Sequence, residues 1–414
     1  MLIKEPASIR AHQPRPLKMK QVEFITLSAC TMMLTALGID IMLPVFGQLR
    51  GHFQLPAQST ATSHIITFFF LGQIAQLFFG VMSDRFGRLP ILRVGFPLYI
   101  LGGILATYAT SLPMMFAARF VAGVGSSAVF MATIAGVRDR FVGDEMARVM
   151  SLVLTIFLFT PVIAPFLGLG ILSASSWQMV FLTPPLFAVI IFVWSLRLEE
   201  SLPKERRNLL HWVVLKNSIG KVLLNKTFLR YTTITTVLFA GLSCYVSSSE
   251  RIVGEIYGKP ELFPWIFATI GLTMAAFTFI NARLSSRYGA RKAIRWLLYA
   301  YLAIASVIAV VALMVEPLPL VIFFSGVGLL MAINVAIEPN SSALAMEPLG
   351  SNAGIASSVY GTCFFFIGAG IGAVISYLTV DTVLPLAISF LLIGSVALAL
   401  IWQSDEHKDS RESS

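Results

Sequence analysis

The sequence predicts an all-α integral membrane protein with twelve membrane-spanning helices in two pseudo-symmetric six-helix bundles. Three observations lead there. Of 414 residues, 57% are apolar and only 12% charged, against ~25% charged in a soluble domain. The apolar residues fall into runs of spanning length, for which ~20 residues are needed, separated mostly by short polar connections. Motifs of the first half also return in the second. Arg85-Phe86-Gly87 recurs 202 residues later as Arg287-Tyr288-Gly289, and Gly123-Val124-Gly125 recurs 203 residues later as Gly326-Val327-Gly328. Two matches at nearly one offset point to parallel six-helix repeats.

A polar, basic segment opens the chain, carrying Lys4, Arg10, Arg15, Lys18 and Lys20. The first apolar run, 22–46, is too long for a signal-peptide core and lacks a cleavage pattern, so it is read as a retained first span. Further spans are expected at 59–81, 91–109, from Pro113 to about Arg138, 149–172 and 181–196. The connection 197–230 is the longest and holds Lys204-Glu205-Arg206-Arg207, Lys216, Lys221 and Lys226, which suits an amphipathic surface helix. The second set follows at 231–249, 262–282, 293–315, 320–346, 353–378 and 383–402. The expected organisation is therefore a basic tail (1–21), an N-terminal bundle (22–196), a linker (197–230), a C-terminal bundle (231–402) and a second tail (403–414).

Charge placement sets the orientation. The net charge is +9, yet all but four of the 30 Lys and Arg residues fall in alternate connections and the two tails. The four exceptions are Arg50, Arg119, Arg251 and Lys259. Such a skew is the positive-inside pattern with both termini cytoplasmic, and it argues against a nucleic-acid partner. Cys30, Cys244 and Cys363 lie far apart inside apolar runs, with neither a pairing nor a metal spacing. No phosphate-binding loop, zinc-helix motif or nucleophile elbow is present, so neither ATP hydrolysis nor a membrane enzyme is expected.

The connection after the second span reads Gly80-Val81-Met82-Ser83-Asp84-Arg85-Phe86-Gly87-Arg88. A positive-inside turn accounts for its arginines but not for its glycines and aspartate. It resembles the signature between the second and third helices of the major facilitator superfamily, which marks Gly80, Asp84, Arg85, Gly87 and Arg88 as a gating loop. Ile39-Asp40-Ile41-Met42-Leu43-Pro44 resembles an element of that superfamily's Bcr/CflA drug-resistance branch, with Met42 in place of tyrosine. Arg119-Phe120-Val121-Ala122-Gly123-Val124-Gly125 is similar to a fourth-helix motif of proton-coupled exporters, Ala122 replacing glutamine. Thr160-Pro161-Val162-Ile163-Ala164-Pro165-Phe166-Leu167-Gly168 partly matches the fifth-helix antiporter motif through Pro161, Pro165 and Gly168. The segments at 137–139, 198–203 and 346–358 look like the same branch.

Asp40, Arg119 and Glu338 are the charged residues well inside spans, where each costs at least ~2.5–3.5 kcal/mol. Asp40 lies about 27 Å along the first span, counted from Val22 at 1.5 Å per residue. Arg119 follows Pro113 by six residues, so the two share a depth. A pair between them is sterically possible, as a proton-coupling couple or as a structural lock. Gln73 and Gln76 are candidates for the substrate cavity, with hydrogen bonding between helices as the alternative. Glu338, just before Pro339, is a third candidate that would favour cationic substrates; the alternatives are structural, a carboxylate snorkelling to the cytoplasmic edge or one bonded to a serine of the eleventh span.

The resemblance implies a secondary transporter of the bacterial inner membrane that exports small amphipathic drugs in exchange for protons by alternating access. No cofactor is expected beyond the proton gradient. The expected partners are a small-molecule substrate, protons and lipid, and the expected unit is a monomer. The same residues would also serve an exporter of an endogenous metabolite such as an amino acid, or a transporter-like sensor without flux.

Overall fold

A computed structural model describes residues 19–203 and 212–412. The predicted basic tail up to Lys18 and the Lys204-to-Arg207 run lie outside the described residues. Sixteen α-helices build the described chain. They are α1 (Gln21–Asp40), α2 (Phe46–His52), α3 (His64–Gly72), α4 (Gln76–Phe86), α5 (Arg88–Thr107), α6 (Leu112–Arg140), α7 (Gly143–Ala174) and α8 (Trp177–Ser195). After the linker helix α9 (Trp212–Leu224) come α10 (Lys226–Arg251), α11 (Phe263–Tyr288), α12 (Ala290–Met314), α13 (Leu320–Met346), α14 (Ala353–Thr362), α15 (Gly368–Leu378) and α16 (Leu384–Glu412). Three predicted spans are each two helices in line: α1 with α2, α3 with α4, and α14 with α15.

Among the described residues, eleven segments are long and apolar enough to cross a membrane. The predicted seventh span, α10, is not one of them, although its 26 residues would reach about 39 Å at 1.5 Å per residue. Its composition explains this. Thr232, Thr235, Thr236, Ser243, Ser247, Ser248 and Ser249 are all buried, because α10 packs against α13, α15 and α16 rather than facing lipid. Lipid is left to residues such as Val321, Val374 and Leu392, which stand exposed on the outside of their helices. An apolar belt of this kind suits hydrocarbon and not water.

In the first half α6 is wedged against α3 and α5, while α1 packs on α7 and α8; in the second, α13 packs on α10, α11 and α12. The two repeated motifs serve as matching parts. Gly87 and Gly289 end α4 and α11 with φ of 105° and 84°, a region that L side chains rarely adopt. A tight reversal into the next helix follows in each case. Small residues fasten α15 to α10, since a Cβ at Gly372 would meet the Ala240 carbonyl at 2.7 Å. This is the small-residue packing that membrane helices use. The linker helix α9 keeps Val222 buried and Lys216 and Lys221 exposed, as an amphipathic surface helix does.

Between the halves runs a seam formed by α4 with α14, α3 with α15, and α7 with α11. One end of the molecule carries the basic connections, such as α4–α5 and α11–α12; the other carries the α2 and α10 ends.

Candidate functional site at the seam

The α4–α5 connection is the most densely bonded part of the basic end. Arg88 is 8% exposed and forks onto Asp139 through Nε (2.8 Å) and Nη2 (3.3 Å). Its Nη1 reaches Asp84 at 2.6 Å and Ser83 at 3.0 Å. Glu200 completes the arrangement by accepting from the backbone N–H of Arg88 (2.9 Å) and Leu89 (3.1 Å). A carboxylate there caps the otherwise unbonded N–H groups at the start of α5 and complements its dipole. Gly87 is required twice over, by its φ and because a Cβ would lie 2.2 Å from the Glu200 carboxylate. Gly80 lies under the Ser358 side chain of α14, so this loop touches the other bundle. Arg85 stays exposed over the Phe86 ring and takes no part in the network.

At the opposite end Arg50, only 3% exposed, crosses the seam. It pairs with Glu250 in a two-pronged contact (2.9 and 3.1 Å) and with Glu255 at 2.9 Å. Glu250 and Arg251 are adjacent yet face different partners. The Arg251 guanidinium donates to the carbonyls of Val380 (2.7 Å) and Thr379. The bundles thus touch near both ends of the seam.

Asp40 and Arg119 do not form an ion pair. Arg119 donates to the Gly38 carbonyl at 2.5 Å and to the Ile65 carbonyl at 3.5 Å, and its guanidinium lies 4.6 Å from the Phe69 ring centre. Arg119 thus reaches the turn of α1 that holds Asp40, but the pair that the sequence leaves possible is not made. The helical break explains the difference: α1 ends at Asp40, and Leu43–Val45 form a 3-10 turn before α2. Carbonyls near that end draw the guanidinium. The Asp40 side chain is 5% exposed, and Tyr245 on α10, buried and with a hydroxyl that has no hydrogen-bond partner among the described residues, lies within reach of its charge across the seam. A carboxylate in that setting would be a buried charge without a counter-ion, which is expensive.

The antiporter-like segment lies beside it. A Cβ on Gly168 would meet the Ile41 carbonyl at 2.0 Å, so α7 touches the chain one residue past Asp40. Pro161 and Pro165 sit inside α7, and Pro161 and Val162 pack against Gly271 of α11. One helix therefore touches both the acidic residue's neighbour and the second bundle.

Midway along the seam lie Gln73 and Gln76, each 1% exposed. Gln76 donates to Gln73 at 3.0 Å and projects over Gly361, while the Gln73 amide nitrogen has no partner. Glu338 lies deeper in the second bundle and accepts from the Tyr360 hydroxyl at 3.3 Å. Its partner is thus a tyrosine of α14, not a serine. Around them Phe70, Phe239, Phe364 and Phe365 form one aromatic cluster. The last two lie on a π-helical turn, Cys363–Ile367, a distortion frequent at functional sites.

A family model described as Major Facilitator Superfamily matches residues 28–373. The chain belongs to the major facilitator superfamily. It is 28% identical over 371 residues to the bicyclomycin resistance protein homolog of Haemophilus influenzae, covering 88% of this chain and 91% of that one. It is 28% identical over 263 residues to the multidrug resistance protein MdtL of Escherichia coli, covering 61% of this chain and 64% of the relative. Among solved structures, a D-xylose-proton symporter superposes with a TM-score of 0.73 at 13% identity, covering 92% of this chain and 97% of the other. The human organic anion transporter MFSD10 gives 0.69 at 17% identity, covering 93% and 99%. As in other facilitators, the protein is multi-pass and all-helical.

The sequence reading missed Arg50, Glu200, Tyr245 and Tyr360 as site residues. Glu200 had a usable signal in the tight Gly87 turn, which leaves the first N–H groups of α5 in need of an acceptor.

Proposed function

We propose that this facilitator is a proton-coupled exporter of small drug-like molecules, placed in a bacterial inner membrane with both termini cytoplasmic. The named functions of its relatives support the substrate class, and the charge skew supports the orientation. The observation that carries proton coupling is Asp40, buried at the seam with neither a counter-ion for it nor a hydrogen-bond partner for the Tyr245 hydroxyl among the described residues. Residues 22–196 and 231–402 are taken as the two moving bundles, joined by 197–230, in a functional monomer without a cofactor.

In the proposed cycle, opening of the α2–α10 end admits a proton to Asp40 and releases the substrate. Reopening at the basic end lets the proton leave and a new substrate enter. One proton exchanged for one neutral molecule moves one charge, worth ~2.3 kcal/mol per 100 mV. Arg50 with Glu250 and Glu255 closes one end, and the Arg88 network with Ser358 over Gly80 closes the other. Proteoliposomes loaded with a neutral drug such as chloramphenicol test the cycle: an imposed proton gradient should drive uphill drug movement and dissipate as it does so. Drug movement that ignores the gradient would reject coupling.

The same reading places Arg88 in turnover and not in binding. Arg88→Ala would strand Asp84 and Asp139, each partly buried, without their shared cation. Maximal flux should fall about ten-fold, one unit of RT ln 10 on the barrier, while drug affinity stays within about two-fold of the parent. Lysine should not restore flux, because a single ammonium lacks the forked geometry. A loss confined to affinity would remove the loop from the gating role.

A further inference from the structure

The α11–α12 turn copies the α4–α5 loop in backbone but not in charge. In the first repeat Asp84 and Asp139 neutralise Arg88, and Glu200 caps the start of α5. Counting on by the 202-residue offset, Ser286 and Ala290 replace Asp84 and Arg88, while Arg291 and Lys292 replace Leu89 and Pro90. Arg287, Arg291 and Lys292 are all exposed, and among the described residues their one ion pair is Arg291 with Glu347 at 3.3 Å. Both members of that pair are more than half exposed, so water weakens it. The turn therefore keeps a positive surface that its counterpart has cancelled.

Aromatic side chains follow on one stripe of α12. Lys292, Trp296 and Tyr299 are spaced four and three residues apart and share a helix face, over about 10 Å at 1.5 Å per residue. Trp296 packs edge-on against Tyr288 across the turn, with ring centres 4.9 Å apart. Trp402 of α16 donates from Nε1 to the Tyr299 hydroxyl at 3.1 Å, which leaves the Tyr299 proton to donate outward. Val307 and Val310 continue the face as exposed apolar surface. Val94 and Pro97 stand where Trp296 and Tyr299 do, so the first repeat lacks this aromatic stripe. We propose that Arg287, Arg291, Lys292, Trp296, Tyr299 and Trp402 form a site for one anionic phospholipid, of the phosphatidylglycerol class. The order of groups fits such a lipid from head to tail. Cations meet the phosphate, tryptophan and tyrosine lie at headgroup depth, and the valines meet the acyl chains. A free phosphate would use only the first of these. A second copy of the chain, packed face to face, would set this positive turn against its own like charge. The site does not depend on what the protein exports.

Purified full-length protein in detergent is titrated with dioleoyl phosphatidylglycerol or dioleoyl phosphatidylcholine, and bound lipid is counted by native mass spectrometry. The parent should hold the anionic lipid about twenty-fold more tightly. Arg287→Gln combined with Lys292→Gln should remove most of that preference, at roughly five-fold per cation. Trp296→Leu should weaken retention several-fold with every charge intact, which a diffuse electrostatic attraction would not show. Lys259→Gln, an exposed change at the opposite end, should leave retention unchanged. All variants should elute from size exclusion as the parent does, because each replaced side chain is exposed. Equal retention of the two lipids by the parent overturns the site, as does full preference in the double variant or in Trp296→Leu. Displacement of the lipid by an equal concentration of glycerol phosphate would overturn it as well, and so would parent dimers that Trp296→Leu abolishes.

Discussion

Asp40→Asn should abolish proton-driven export while leaving a folded protein that still exchanges substrate across the membrane. Asparagine matches aspartate in size and keeps hydrogen-bonding capacity, so the close packing of α1 against α7 is undisturbed. What it removes is titration. Among the described residues Asp40 forms no ion pair, so the substitution does not strand a buried cation; Arg119 keeps its bonds to the Gly38 and Ile65 carbonyls. Breaking a buried ion pair costs about 3–5 kcal/mol, and that cost is absent here. The variant should therefore unfold at the parent's temperature yet show no gradient-driven chloramphenicol uptake into inverted vesicles. Counterflow with equal drug on both sides should persist. Full gradient-driven uptake at normal expression would take the proton away from Asp40.

That expectation depends on a contact the sequence could not give. Counting along the first span placed Asp40 at the depth of Arg119, and Arg119 does reach that turn. What the count leaves out is that α1 ends at Asp40, where the Gly38 carbonyl takes the Arg119 guanidinium in place of the carboxylate. The α4–α5 loop was legible for the opposite reason. Its core is local, with Arg88 bonded to Asp84 four residues away and a glycine whose backbone no other residue adopts readily, while its distant partners Asp139 and Glu200, 51 and 112 positions from Arg88, had no such signal. Arg50 stands out in the sequence only as an exception to the charge skew, since its partners are 200 and 205 positions on and no periodicity links them. The helix expected over the seventh span is present as α10, although its buried hydroxyls keep it below the apolarity of the other eleven segments. The aromatic run could not be picked from 32 phenylalanines, because composition does not distinguish a ring facing the seam from one facing lipid.

Gly168→Ala should be the most damaging single methyl in the first bundle, and Gly170→Ala provides its control two residues away on the same helix. A Cβ at Gly168 would stand 2.0 Å from the Ile41 carbonyl, whereas one at Gly170 has nothing within 4 Å. The obstacle is backbone, so no side-chain rotation relieves it; α7 must move from α1 or the end of α1 must shift. Overpacking of this kind costs about 1–3 kcal/mol, so Gly168→Ala should lower the unfolding temperature in detergent. Gly170→Ala should hold or raise it, since alanine favours a helix over glycine by ~1 kcal/mol. The functional effect should be larger than the loss of stability implies, because the displaced residue adjoins Asp40. Pro161 and Pro165 let α7 bend, and a bend that can no longer seat against Ile41 should leave the carboxyl poorly sealed. Gradient-driven export should then fall about ten-fold or more, with faster proton leak into drug-free proteoliposomes. Equal stability and export in the two alanine variants would show that this contact does not couple the antiporter-like segment to Asp40.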